Sequence, residues 1–307
     1  MKFVTFETQG GRTLLGVIKN EQFVVDVHLA SNGKIPNDIL DLLEKSDEYM
    51  DLLNHLDTYP TSAVYPLSRV KLLAPLPKPR SFRDFYAFEE HVKNARNRRG
   101  LDVIPEWYDI PVFYFSNHQS IKGPNEEIYF PSTSSWWDYE LEIACVIGKE
   151  GRNIQANDAE EYIFGYTILN DWSARDLQRQ EMKVGLGPAK GKDFATSIGP
   201  YIVTKDELEK YKENDRYNLE MTAKVNGKLL SKGNYNSIYY SFPHLIEQAS
   251  KDVTLYPGDL IASGTVGTGC ILELGEEVHR WLQPNDTVEL TITGLGSLVN
   301  TVGREED

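Results

Sequence analysis

The alternation of apolar and polar residues is clearest between Trp137 and Gly148. With the side-chain period of two that a strand has, one face carries only apolar or aromatic residues. That face consists of Tyr139, Leu141, Ile143, Cys145 and Ile147. The opposite face combines Ala144 and Val146 with two carboxylates, Glu140 and Glu142. The pattern predicts a buried strand with an acidic pair on one side.

Elsewhere the pattern predicts many short strands and fewer helices. Short strands are predicted over residues 1 to about 30, followed by a helix over 37–56. Further strands are predicted at 111–116, 126–130, 139–147, 164–170, 200–204, 219–225, 259–263 and 287–292. Helices are predicted at 84–98, 156–162, 172–183 and 241–251. Because strands outnumber helices and do not alternate with them, the pattern favours a β-rich α+β fold.

Two local signals organise this fold. Asn226-Gly227 separates two strand-like runs, which predicts a hairpin. Pro75, Pro77 and Pro79 make the chain extended around Leu73–Arg80, a natural seam between domains. We therefore predict a small N-terminal β-rich domain over 1–73 and a main, catalytic domain over 74–307.

Composition restricts the class of protein. The chain has 307 residues and a net charge of −14, which argues against nucleic acid or an anionic membrane surface as a main partner. It lacks a stretch of about twenty apolar residues and an apolar leader, so we expect a cytoplasmic protein. The two cysteines, Cys145 and Cys270, are expected to be reduced core thiols, since neither has metal-ligand spacing.

The acidic pair is the first candidate for chemistry. Two like charges in a buried strand are costly unless a proton or a cation neutralises them, and a hard divalent cation prefers oxygen ligands. Asp171, at the end of a predicted strand, is a candidate partner, but it equally suits the N-cap of helix 172–183. Arg175 suits either an ion pair with Asp176 or an anionic substrate.

Other candidates have competing structural interpretations. On the predicted helix 84–98, Asp84 and His91 fall near one face, although Asp84 also suits an N-cap and a lone histidine is more often structural. The glycine-rich segments 185–193 and 264–269 fit neither a phosphate loop nor a dinucleotide fingerprint. Both are better interpreted as tight loops lining a pocket. Lys192, in the first segment, and Glu273, shortly after the second, are the chemically capable residues, but on this evidence alone a surface lysine and a surface glutamate are the preferred interpretations.

Taken together, these segments resemble the fumarylacetoacetate hydrolase family from about residue 74 to the C-terminus. The matching pieces are Asp84-Phe85-Tyr86 with His91, Tyr139-Glu140-Leu141-Glu142, Asn170 to Asp176 with Gln178, Lys192, and Gly264-Thr265 with Glu273. Their occurrence together and in this order makes the resemblance specific.

The resemblance implies a mixed β-roll, usually a homodimer, and one divalent cation, Mg²⁺ or Ca²⁺. The implied metal ligands are Asp84, Glu140, Glu142 and Asp171. The implied catalytic residues are His91 and Glu273, which activate water, and Lys192, which stabilises negative charge. The implied substrate contacts are Tyr86, Tyr114, Arg175, Gln178 and Thr265.

The implied reaction is hydrolysis of a carbon–carbon bond in a small anionic 1,3-dioxo acid, of the fumarylacetoacetate or acylpyruvate type, in aromatic or 2-oxo acid catabolism. The alternative on the same scaffold is an oxaloacetate decarboxylase, a 2-oxo acid hydratase or an isomerase. All of them use the cation to stabilise an enolate.

Some positions depart from the family pattern. Gly100 lies where mammalian-type hydrolases carry an arginine, directly after Arg96, Arg98 and Arg99, and Met182 replaces an expected tyrosine. The far end of the substrate is therefore expected to differ from fumarylacetoacetate. Decarboxylase-type members carry a glutamate at the position of Asn94 and lack the late glutamate, Glu273. These last two differences favour the hydrolase branch.

Overall fold

A computed structural model describes residues 1–56, 58–98, 100–214 and 216–304. The strands up to residue 152 are β1 (Lys2–Glu7), β2 (Thr13–Lys19), β3 (Phe23–Asp26), β4 (Val64–Pro66), β5 (Lys71–Leu72), β6 (Phe82–Phe85), β7 (Phe113–Phe115), β8 (Ile121–Lys122), β9 (Glu127–Ile128), β10 (Trp137–Asp138), β11 (Leu141–Ile147) and β12 (Gly151–Arg152). The later strands are β13 (Ile163–Asp171), β14 (Ser173–Ala174), β15 (Thr196–Thr204), β16 (Lys212–Glu213), β17 (Arg216–Tyr217), β18 (Glu220–Val225), β19 (Lys228–Asn234), β20 (Thr254–Leu255), β21 (Leu260–Ala262), β22 (Thr287–Ile292) and β23 (Gly296–Val302).

Helices are fewer than strands. The α-helices are α1 (Val27–Ala30), α2 (Ile39–Leu43), α3 (Ser46–Asn54), α4 (Glu89–Asn97), α5 (Arg175–Val184), α6 (Lys205–Leu208), α7 (Phe242–Ser250) and α8 (Ile271–Leu274). Short 3₁₀ turns occur at Thr61–Ala63, Leu67–Arg69, Pro105–Tyr108, Ala156–Tyr162, Glu209–Tyr211 and Tyr235–Ser237. In the described part of the chain, no helix is long and apolar enough to cross a membrane.

Most strands belong to one large mixed sheet or one smaller, five-stranded sheet, and β10-β14, β12-β20 and β16-β17 form two-stranded sheets. The described residues of the large sheet form twelve strands, in the order β4-β3-β2-β1-β15-β13-β11-β21-β6-β7, with β5 on β1 and β8 on β15. Most pairs are antiparallel, whereas β21 with β6 and β15 with β8 are parallel. The smaller sheet follows the order β19-β18-β22-β23-β9, and the predicted Asn226-Gly227 turn joins its first two strands. The prediction of a β-rich α+β fold is confirmed.

Strand β11 lies inside the molecule and separates two apolar cores, because every one of its residues is buried. The face that carries Leu141 and Ile143 packs into the larger core, with α7 and the smaller sheet. Ala144 and Val146 pack into the second core, with Phe3 and other residues of the N-terminal strands. The predicted division of this strand into two faces is therefore confirmed, and it fixes the side on which Glu142 projects.

The N-terminal strands extend the large sheet. Strand β1 pairs with β15, with Lys2 opposite Val203 and Phe3 opposite Ile202. The sheet and the second core are therefore continuous across the predicted seam at residues 73 and 74. The division into domains 1–73 and 74–307 stays a prediction, as does the homodimer.

Several predicted helices begin or end elsewhere. The helix predicted over 37–56 is two helices, α2 and α3, and the region 156–162 is a 3₁₀ turn. The segment 84–98 begins as strand β6, so Asp84 pairs with Ala262 and Tyr114 in the sheet and is not an N-cap. Asp171 ends β13, and helix α5 begins later, at Arg175. These helix predictions rest on apolar spacing alone. In the segment that holds Asp84, hydrogen bonding with distant strands determines the backbone conformation instead.

Candidate active site

Neighbouring strands of the large sheet bring three carboxylates together. Asp84 lies on β6, Glu142 on β11 and Asp171 at the end of β13, and these strands follow the order β13-β11-β21-β6 in the sheet. All three residues are buried. Their ligand oxygens lie within 4.8 Å of one another. We call Asp84, Glu142 and Asp171 the carboxylate cluster.

Each member of the cluster has one oxygen left without a hydrogen bond from any described residue. These oxygens are Asp84 Oδ1, Glu142 Oε2 and Asp171 Oδ1. The other oxygens are partnered: Tyr114 donates to Asp171 Oδ2 and, at 3.4 Å, to Asp84 Oδ2, and Thr265 Oγ1 lies 3.4 Å from Glu142 Oε1. Buried acceptors without donors are costly, so the cluster is built to receive a further partner.

The electrostatics of the cluster favour a positively charged partner. Burial, with the neighbouring Asp171 charge, raises the pKa of Asp84 well above its usual range. Burial and the Asp84 charge do the same to the pKa of Glu142, and burial raises the pKa of Asp171 despite Lys192. Three converging carboxylates are the hard oxygen ligands that a divalent cation prefers. The residues therefore fit a divalent cation.

Glu140 lies beside the cluster but has other partners. Its Oε1 forms an ion pair with Arg175 Nη2 at 2.8 Å, and its Oε2 accepts from Lys192 Nζ at 2.6 Å. Burial alone would raise the pKa of Glu140, but Lys192 and Arg175 lower it. Glu140 is thus an anion whose two oxygens are both held by protein cations. Its predicted role as a fourth metal ligand stays a prediction.

Lys192 is buried, so the surface interpretation of this lysine is wrong. Its Nζ donates to Glu140 Oε2 and Asp171 Oδ2, at 2.6 Å in both cases. Burial lowers the pKa of an ammonium group, but Asp171 and Glu140 outweigh it and raise the pKa of Lys192. Lys192 is therefore a fixed positive charge at the edge of the cluster.

His91 and Glu273 form a buried pair. Helix α4 carries His91, whose Nδ1 lies 2.5 Å from Glu273 Oε1 on α8. The other oxygen, Glu273 Oε2, accepts from Asn94 Nδ2 at 3.0 Å and from the Thr268 amide at 2.9 Å. Burial would raise the pKa of Glu273, but His91 and these hydrogen bonds lower it, so the group is a carboxylate at neutral pH. The surface interpretation of Glu273 is wrong.

The pair is oriented for proton transfer. A carboxylate that accepts from Nδ1 places the proton on that nitrogen and leaves the lone pair on Nε2 of His91. The charge of His91 lies near enough to Glu140 to lower the pKa of that residue. The Tyr86 ring contacts His91 edge-on, with the ring centroids 5.2 Å apart. The pair can therefore act as a base near Glu140, which is connected to the carboxylate cluster through Lys192.

The predicted substrate residues have different environments. Tyr86 and Gln178 are half-buried, and Tyr114 and Thr265 contact the cluster. Arg175 is buried in ion pairs with Asp138 and Glu140, and its Nη1 donates to Gln178 Oε1 at 3.1 Å. The ion pair predicted between Arg175 and Asp176 is replaced by these contacts. The substrate roles of the five residues stay predictions.

The arginines near residue 100 are assigned no substrate role. Arg96 Nε donates to the Asp102 carbonyl, and Arg98 donates to the Glu273 and Leu274 carbonyls. Arg99 lies outside the described residues.

The sequence analysis missed Asp138, which is fully buried and contacts both Arg175 and α8. It lies two residues before Glu140, on the same polar side of an alternating run. The same alternation, followed two residues further towards the N-terminus, identifies Asp138 as a buried polar residue.

Comparison with known proteins establishes the family. Residues 80–303 match the family model described as fumarylacetoacetate (FAA) hydrolase C-terminal. The chain belongs to the fumarylacetoacetate hydrolase family, as the sequence resemblance predicted.

Individual relatives carry different activities in their names. The chain is similar to oxaloacetate tautomerase YisK from Bacillus subtilis, with 31% identity over 324 residues, 99% of this chain and 100% of that protein. It is also similar to fumarylacetoacetase from Arabidopsis thaliana, with 30% identity over 78% of this chain and 68% of that protein. Among solved structures, a putative HpcE protein from Mycobacterium smegmatis matches with a TM-score of 0.80 and 28% identity, over 100% of both chains.

Proposed function

We propose that this protein is a divalent-cation-dependent enzyme that interconverts the keto and enol forms of oxaloacetate or a similar 2-oxo dicarboxylate. The observation that carries the proposal is a buried His91–Glu273 pair close enough to Glu140 to act on its pKa, in a site where three carboxylates have unpartnered oxygens. The similarity to an oxaloacetate tautomerase over the whole of both chains supports this reaction.

Asp84, Glu142 and Asp171 would hold the cation, which we propose to be Mg²⁺ or Ca²⁺ because all the ligands are oxygens. When bound, such a cation acts as a Lewis acid that polarises the oxo group of the substrate and orients its carboxylate. The ammonium group of Lys192 adds a fixed positive charge where negative charge develops on the substrate oxygens.

The protein side chains then move one proton. His91 Nε2 accepts a proton from the carbon next to the oxo group, and the C–H electrons form the carbon–carbon double bond of the enol. The oxo oxygen takes up that proton from His91, so the histidine ends neutral. Glu273 remains ionised and stabilises the imidazolium that forms between the two transfers. General acid–base assistance of this kind is worth about 10²–10⁴ in rate.

Hydrolysis of a carbon–carbon bond in a 1,3-dioxo acid is the second candidate. The held Glu273 carboxylate favours it, because a histidine backed by an anion also accepts a proton from water. The resulting hydroxide adds to a carbonyl carbon, the carbon–carbon bond breaks, and the departing carbon takes up a proton. The similarity to a fumarylacetoacetase supports this candidate.

The test compares both reactions in one set of variants. Loss of enol absorbance would be followed for oxaloacetate, and loss of diketone absorbance for an acylpyruvate and fumarylacetoacetate, with Mg²⁺ and with a no-enzyme control. Glu273→Gln is expected to lower tautomerase kcat by about 10²-fold or more, since it removes the anion behind His91. The matched control is Glu277→Gln, an exposed residue that forms an ion pair with Arg98 and is expected to leave kcat unchanged.

The outcomes are distinct. Ketonisation no faster than the no-enzyme control refutes the tautomerase proposal. If diketone cleavage occurs instead and depends on Glu273, the protein is a hydrolase. Formation of pyruvate and CO₂ from oxaloacetate that survives Glu273→Gln identifies a decarboxylase, and refutes both candidates.

A further inference from the structure

The Asp138 carboxylate is saturated with donors, although it contacts none of the proposed reacting groups. It is fully buried at the end of β10. Its Oδ1 accepts from the amides of Tyr139 at 2.9 Å and Ile271 at 2.8 Å. Its Oδ2 accepts from the Leu272 amide at 3.1 Å and from Arg175 Nε at 2.8 Å.

Two of these donors belong to the helix that carries Glu273. Helix α8 spans only Ile271–Leu274, and the side chain of its N-cap residue, Cys270, contacts Glu273 Oε1 at 3.6 Å but accepts from none of the helix amides. The first amides of a helix have no partner within the helix, so an external acceptor decides where they lie. Asp138 supplies that acceptor from a different strand. Glu273 follows directly after the two amides that Asp138 holds.

The arginine donor connects Asp138 to the carboxylate cluster. Arg175 bridges Asp138 and Glu140, and Lys192 bridges Glu140 and Asp171, with ion-pair distances between 2.6 and 2.8 Å. Charges alternate along this chain, so each member fixes the next. One end of the chain lies in the cluster and the other holds the backbone of α8.

We propose that Asp138 is a positioning residue that holds Glu273, and through it His91, at a fixed place relative to the carboxylate cluster. The catalytic consequence rests on the proposed proton transfer, whereas the structural consequence does not. Proton transfer requires the base and the reacting atom to approach closely, and a displacement of about 1 Å costs up to about 10²-fold in rate.

The test uses Asp138→Asn, which keeps the size of the side chain but turns one acceptor into a donor. The amide nitrogen replaces either Oδ1, which accepts from the Tyr139 and Ile271 amides, or Oδ2, which accepts from the Leu272 amide and Arg175 Nε. One amide of α8 therefore loses its acceptor in either orientation. Asp286→Asn is the matched control. Asp286 is also buried and accepts from an arginine, Arg280, and from a backbone amide, that of Gln283. Both variants replace a buried carboxylate that pairs with an arginine by a neutral amide, but only Asp138→Asn removes an acceptor from the amides of α8.

Three readouts separate positioning from general loss of stability. Amide hydrogen exchange at Ile271 and Leu272 is expected to rise in Asp138→Asn and to stay unchanged in Asp286→Asn. The proton resonance of His91 Nδ1 is expected to move upfield in Asp138→Asn alone, since its hydrogen bond to Glu273 weakens.

At saturating Mg²⁺, kcat is expected to fall by about 10–100-fold in Asp138→Asn. In the Glu273→Gln background, Asp138→Asn is expected to lower kcat by less than a further factor of about three, because the effects of substitutions within one hydrogen-bond network are not additive.

Unchanged exchange and an unchanged His91 resonance in folded Asp138→Asn would overturn the proposal, whatever the activity. An equal loss of kcat in the wild-type and Glu273→Gln backgrounds would also overturn it. If Asp138→Asn does not fold, Asp138→Glu takes its place, since it keeps the charge beside Arg175 and displaces the oxygens from α8. Increased exchange at α8 in a protein without tautomerase activity would support the positioning role and refute only the proposed function.

Discussion

Replacing Glu142 by glutamine is predicted to stabilise the cation-free protein and to abolish its stabilisation by Mg²⁺. Glu142 Oε2 is buried without a hydrogen bond from any described residue, and the cluster oxygens lie within 4.8 Å of one another. In the absence of a cation, the ionised side chain is repelled by Asp84 and Asp171. Glutamine has nearly the same shape and removes the charge, so the repulsion disappears together with a cation ligand.

The magnitudes follow from the geometry. Two unit charges at 4.8 Å repel by about 3.5 kcal/mol in an effective dielectric constant of about 20. Lys192 offsets part of this repulsion. We therefore expect Glu142→Gln to raise the free energy of unfolding by about 1–3 kcal/mol in the absence of a cation. A cation at 100 times its Kd stabilises the wild type by about 2.7 kcal/mol. For a protein of 307 residues, a change of 1 kcal/mol in the free energy of unfolding shifts Tm by about 1.5 °C. Stabilisation by the cation is therefore expected to raise Tm by about 4 °C.

The pH dependence has a defined sign. The pKa values of Asp84, Glu142 and Asp171 are raised in the folded protein by burial and by mutual repulsion. The contribution of these carboxyl groups to stability is therefore complete below their pKa values in the unfolded chain, about 4. It is lost as the pH rises through their pKa values in the folded protein. In EDTA, wild-type Tm is expected to fall as the pH rises above about 5, and Mg²⁺ is expected to reverse this fall.

The assay is thermal unfolding from pH 5 to 9, in EDTA and in Mg²⁺, for wild type and Glu142→Gln. Glu289→Gln is a control, because Glu289 lies on β22 and its carboxylate pairs with Lys224 on β18. A lower Tm for Glu142→Gln than for wild type in EDTA at pH 8 would refute the electrostatic argument. An Mg²⁺-induced shift of equal size in both proteins would show that the cation binds elsewhere.

Two further predictions concern residues that shape the site. Gly264 has a φ of +77°, and an added Cβ would lie 2.3 Å from the Phe85 carbonyl, so Gly264→Ala is expected to lose about 2–4 kcal/mol of unfolding free energy in urea. Gly11→Ala has a similar φ of +74° but open space, so it should lose only about 1 kcal/mol, and equal losses would contradict the steric argument. Lys192→Met leaves two buried carboxylates without their ammonium partner and is expected to lose about 3–5 kcal/mol without a cation, measured by urea unfolding in EDTA. Lys190→Met removes an exposed pair with Asp193 and should cost under about 1 kcal/mol, so a comparable cost for both would contradict this reasoning.

The sequence predicted the central strand because its physical signal is local. Alternation alone determines which side of β11 holds Glu142 and which packs into the larger core, and the structure confirms both faces. The hairpin at Asn226-Gly227 is likewise local, since a two-residue turn needs residues that tolerate positive φ. Helix limits were less predictable. Asp84 has helix-like spacing from His91, but hydrogen bonding with β21 and β7 makes its segment a strand.

The different environments of Glu140 and Glu142 could not be read from the sequence, although the two residues are equivalent in it. Both follow the same alternation on the same face of one run. In the structure, Glu140 meets Arg175 from α5 and Lys192 from a distant loop, whereas Glu142 faces Asp84 and Asp171. Opposite charges consequently lower the pKa of Glu140 against its burial, while burial and like charges raise that of Glu142. The same side chain thus becomes a fixed anion at one position and a carboxyl group with an unpartnered oxygen at the other, because the contacts that decide the difference are all long-range.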